Sequence, residues 1–154
     1  MNQQRRDALR LSTGLGLAVA AGLLSPLEAL AAEGWNSAAF DTKNLNDTVK
    51  ALGGRSAVPS INLLINAPEI AENGAVVPIS VSTSLPNVQQ IAILVEKNPS
   101  SLAAEFEILA GTEANVGTRV KMGQSSNVHA VVKAGGKYYV ATKEVKVTLG
   151  GCGG

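Results

Sequence analysis

From residue 60 onward the chain alternates. Ile61, Leu63 and Ile65 take every second place against Asn62, Leu64 and Asn66, and the run stops at Pro68. Period two is the spacing of a strand with one buried face. Val77, Ile79 and Val81 repeat it against Pro78, Ser80 and Ser82, after a turn at Glu72, Asn73 and Gly74. Because Pro78 has no N–H to give a ladder, this strand is expected to lie at an edge there or to bulge. Ile91, Ile93 and Val95 make a third strand, and Leu102, Ala104, Phe106 and Ile108 a fourth, with a loop over residues 111–115. Val116, Thr118, Val120 and Met122 then alternate with Gly117, Arg119, Lys121 and Gly123, giving a strand with a charged outer face. Val128, Ala130 and Val132 follow, and Gly135 and Gly136 turn the chain into a last strand from Tyr138 to Leu149. Seven short strands at this spacing predict an all-β fold, an antiparallel β-sandwich of immunoglobulin-like type.

Ahead of the strands the period changes to that of a helix. Residues 35–52 have helical character and predict one amphipathic helix, with Leu45, Val49 and Leu52 at i, i+4 and i+7. Asn44 can cap its start, and Gly53 with Gly54 ends it. Trp35 and Phe40 are expected to pack this helix onto the sheet. Further upstream, Arg5 and Arg6 precede an apolar, Ala- and Gly-rich run over residues 11–24, then Pro26 and the Ala29, Leu30, Ala31 pattern of a cleavage site. Residues 1–31 therefore read as a twin-arginine signal peptide cut after Ala31, with residues 32–149 as the domain and export to the periplasm.

Composition adds little to this, but charge and cysteine content narrow the function. The formal net charge is +1, and cleavage would remove three cations and two anions, so no basic surface for nucleic acid is expected. One cysteine and one histidine make no metal-site spacing, and no cofactor is implied. His129 falls on the face opposite the core of its strand, and a catalytic role for it is not expected. The acids Glu69, Glu72, Glu96, Glu105, Glu107, Glu113 and Glu144 are scattered as on a solvated surface.

The remaining chemistry is Cys152, set between Gly150 and Gly151 on one side and Gly153 and Gly154 on the other. Glycine imposes no preferred backbone conformation and adds no bulk, so residues 150–154 form a flexible arm. From Leu149 to Cys152 the extended reach is about 10 Å. A solvated thiol ionises near about pH 8.5 and is mostly protonated at neutrality, so a pocket entered by the arm would have to activate it. Two readings fit these residues: a carrier whose thiol holds a substrate, or an exported structural or adhesion module whose cysteine forms a disulfide between chains. An enzyme using Cys152 directly lacks a visible base.

The Gly-Gly-Cys-Gly-Gly end resembles the mark of the SoxY family of sulfur-oxidation carrier subunits. So do the twin-arginine leader, the helix end at Ala51, Leu52 and Gly53, and the run Ala67, Pro68, Glu69, Ile70, Ala71, Glu72, Asn73, Gly74 followed by Val77 and Pro78. The resemblance implies a non-enzymatic carrier that pairs with SoxZ. It implies Cys152 as the covalent attachment point, loaded with thiosulfate by SoxXA, relieved of sulfate by SoxB and, in systems that have it, oxidised further by SoxCD.

Overall fold

The computed structural model describes residues 36–148. The signal peptide expected over residues 1–31, Trp35 and the expected arm with Cys152 lie outside the described residues. Two short helices come first, α1 (Ser37–Phe40) and α2 (Leu45–Ala51). The single helix expected over residues 35–52 is thus interrupted, and the cap explains why. The Asn44 side chain accepts the Asp47 N–H at 2.9 Å, a bond that requires extended dihedrals at Asn44 itself, φ −153° and ψ 161°. A helix cannot run through a residue in that conformation. Asn36 caps α1 in the same manner, accepting the Ala39 N–H at 3.2 Å.

Among the described residues nine strands follow: β1 (Ala57–Pro59), β2 (Leu63–Asn66), β3 (Ile70–Ala71), β4 (Val77–Thr83), β5 (Val88–Val95), β6 (Leu102–Glu107), β7 (Asn115–Val120), β8 (Ser126–Ala134) and β9 (Lys137–Val147). The larger sheet runs β1-β9-β8-β5-β6, with β3 also on β9, and the smaller sheet runs β2-β4-β7. The fold is an all-β, immunoglobulin-like sandwich. Its hairpin pairings are antiparallel, but β1 and β3 each join β9 in parallel, Ala57 opposite Tyr138 and Ile70 opposite Lys146. The chain leaves the larger sheet after β1, crosses to the smaller one as β2, and returns as β3.

Between the sheets lies the main core, with Val77, Ile79 and Val81 facing Ile91, Ile93, Val128, Ala130 and Val132. A second core sits on the other face of the larger sheet. There Ala39, Val49 and Leu52 from the helices cover Ala92, Leu94, Val131 and Tyr138. Hence β5 is buried on both faces, from Ile91 through Val95 without a break. Phe40 packs against this second core, as the sequence suggested. The Tyr138 hydroxyl donates to the Leu52 carbonyl and ties the end of α2 to β9. Gly54 permits that approach, since a Cβ there would stand 2.7 Å from the Tyr138 ring and 2.8 Å from Val49.

Two expectations are corrected in detail, and that for Pro78 is met locally. Ile61 is fully exposed, in a turn ahead of β2, and only Leu63 and Ile65 of that run are buried. Leu102 does not share a face with Ala104. The register shifts opposite Ile93 and Leu94, a bulge that turns Leu102 toward the helices. Pro78 lies in the central strand of its sheet, yet β2 reaches only as far as Ser80, so at Pro78 itself one side of β4 is open, as its missing N–H requires.

Candidate functional site

What the structure describes of the candidate site is the base from which the arm departs. Gly150, Gly151, Cys152, Gly153 and Gly154 themselves lie outside the described residues. The base is the end of β9, and it is pinned from both sides. Lys146 N–H donates to the Glu69 carbonyl at 2.9 Å, and Thr148 N–H to the Ala71 carbonyl at 3.1 Å. Between them, Val147 N–H turns the other way and donates to the Ser125 hydroxyl at 2.8 Å. The last backbone groups of the strand are thus satisfied alternately by β3 and by the loop before β8, and fixed as far as Thr148.

Gly74 completes this base. A Cβ on Gly74 would overlap the Met122 carbonyl oxygen and come within 2.8 Å of Val147 Cγ1, so only glycine lets the three segments meet. Met122 N–H returns a bond to the Gly74 carbonyl at 2.7 Å. Residues 67–74 therefore build the seat of the last strand. Ala67 and Ala71 are buried, and Lys143 Nζ donates to the Ala67 carbonyl at 2.7 Å. Sequence reasoning missed β3 and Ser125 as parts of this base. The signal available was the short Ile70 and Ala71 pair bracketed by Pro68 and Gly74.

His129 is half-buried on the helix-bearing face. Its Nδ1 lies 2.8 Å from the Thr142 hydroxyl and its Nε2 3.7 Å from Glu96, whose carboxylate also accepts from Asn127 Nδ2 at 2.8 Å. Burial pushes its pKa down, against the opposing pull of the Glu96 charge. Glu105 shifts the other way, raised by burial and by neighbouring Glu107, while a hydrogen bond from Gln90 partly offsets this. Neither group belongs to the arm's base. Among the described residues no three of His, Cys, Asp and Glu come together to hold a metal, and no helix is long and apolar enough to cross a membrane.

A sandwich whose last strand is locked to its very end is a rigid base for whatever the C-terminus presents. In comparisons with known proteins, the model of the family described as "Sulfur oxidation protein SoxY" matches residues 49–152. The sulfur carrier protein SoxY from Chlorobium limicola f thiosulfatophilum is 42% identical over 67% of this chain and 96% of its own, with a TM-score of 0.59. A superoxide reductase (neelaredoxin) from Ignicoccus hospitalis has a TM-score of 0.51 over 56% of this chain and 80% of its own, but at 21% identity the likeness is one of fold alone. None of the curated proteins compared matches the chain. The chain belongs to the SoxY family of sulfur oxidation proteins.

Proposed function

We propose that this chain is a periplasmic covalent sulfur carrier, delivered through the twin-arginine route after loss of residues 1–31, and that Cys152 is its attachment point. The observation that carries the reading is the placement of Cys152 between two glycine pairs, four residues beyond the pinned Thr148, in a chain of this family. Oxidative conjugation joins the Cys152 sulfur to the sulfane sulfur of thiosulfate. The thiol proton is released, and two electrons pass to a haem partner of the SoxXA kind. Water then attacks the terminal sulfone, as a SoxB-type hydrolase would direct, so that sulfate leaves and a persulfide stays on Cys152. Where a SoxCD-type enzyme is present, the retained sulfur is oxidised before a further hydrolysis.

Tethering keeps each intermediate at high local concentration and within reach of successive enzymes. On this reading the catalytic groups come from the partner enzymes, and the chain acts as bound substrate in a heterodimer with a SoxZ-type partner. Glycine on both sides of the sulfur leaves clearance for an anionic adduct inside a narrow cleft. Cys152→Ser is expected to abolish thiosulfate-dependent mass adducts on the purified mature protein while the melting temperature and partner binding stay unchanged. Adducts or coupled turnover persisting in that variant would overturn the reading. A stoichiometric interchain disulfide on nonreducing electrophoresis, with no sulfur adduct, would instead favour the structural module.

A further inference from the structure

The strands that border the two sheets are unequal in how they discourage pairing with other chains. The first, β1, has three residues and ends in Pro59, and β2 has four and is soon closed by Pro68. On β6 stand Glu105 and Glu107, together with the bulge against β5. By contrast β7 has six residues in unbroken register with β4, no proline and no carboxylate, and its one charge is the cation Arg119. Gly117 lies at its middle, with only Ser80 Cβ within 4 Å of where a side chain would begin. Beside this open edge a groove of about 420 Å³ runs between the two sheets. It is lined by Asn98, Ser100 and Ala103 on one side and by Arg119, Val120 and Lys121 on the other, with no acidic residue. Neither Arg119 nor Lys121 has an ion-pair partner among the described residues.

We infer that the β7 edge is a docking site for an extended, carboxylate-bearing segment of a partner protein, which adds to the smaller sheet as a fourth strand with its acids against Arg119 and Lys121. Backbone pairing along this open edge supplies affinity, and its unpaired cations, which discourage other chains, select an acidic segment and speed its arrival. The location gives the site its use. Lys121 leads directly into Met122, which is bonded to Gly74 beside Val147, so a partner held on β7 sits next to the base of the arm. This last step rests on the carrier reading; the docking itself does not.

The test uses the full mature chain, titrated with a peptide alternating valine and glutamate and with its lysine counterpart, read by affinity and by hydrogen exchange. The glutamate peptide should bind about tenfold more tightly at low salt, with the preference shrinking as salt screens the rim charges. Alternate amides between Asn115 and Val120 should slow in exchange. Both effects should vanish in Arg119→Glu/Lys121→Glu, whose melting temperature should match the unaltered protein. Equal affinity for the two peptides, or protection away from β7, overturns the proposal. So does full competition by sulfate alone, which marks a site for small anions only. Protection of β7 without peptide overturns it too, in favour of a second copy if it depends on protein concentration, or of the chain's own tail if deleting residues 149–154 abolishes it. Repeating the titration on Cys152→Ser separates the two readings: peptide binding there alongside absent adducts on the unaltered chain would sink the carrier and leave the docking edge intact.

Discussion

His129 shows how a residue can be placed correctly from sequence and still hold something back. Its alternation with Val128 and Ala130 puts it off the main core, and it does face away from it. That face is not simply solvent, because the larger sheet has a second core on its other side. Burial at His129 depresses its pKa, so as pH falls through the ordinary histidine range the unfolded chain takes up a proton that the folded one resists. Stability should therefore decline on acidification across that range. His129→Asn should flatten the decline, as read by urea denaturation at several pH values between neutrality and mild acid. A slope unchanged by the substitution would mean that burial does not suppress protonation of this imidazole.

Among the elements, those with their own periodic signal were legible. Val77, Ile79 and Val81 point inward, Asn44 begins a helix and Gly53 follows its end, all as their spacing and chemistry require. Elements that exist only through distant partners were not. β1 and β3 are three and two residues long and owe their conformation to parallel pairing with β9, 81 and 76 positions away, for which no local pattern can exist. The same holds for the bulge that reverses Leu102, since a period of two cannot announce the place where it slips. Gly74 belongs with these. Its need for zero side chain comes from Met122 and Val147, and Gly74→Ala should cost about 2 kcal/mol by forcing backbone apart. Denaturant titration would measure the loss. Faster exchange at the Thr148 amide in the same variant would locate it at the arm's base.

At the scale of the whole molecule, the proposal assigns the body and the chemistry to different parts of the chain. Every described buried apolar residue serves one of the two cores, and the single cysteine comes four positions after Thr148 in the sequence. Deleting residues 149–154 should then leave the melting temperature unchanged while removing all thiosulfate-dependent adducts, and scanning calorimetry with intact-mass measurement checks both. A drop in stability would show that the tail contributes to the fold. The pinned end of β9 also has a mechanical meaning. If, as proposed, a partner enzyme draws on the C-terminus, a pull directed along the axis of β9 meets ladder bonds to β8 on one flank and to β1 and β3 on the other that run across it. Such a tug is resisted in shear by many bonds at once, whereas an edge strand peeled sideways would surrender them singly, so the domain can be towed by its tail without unravelling.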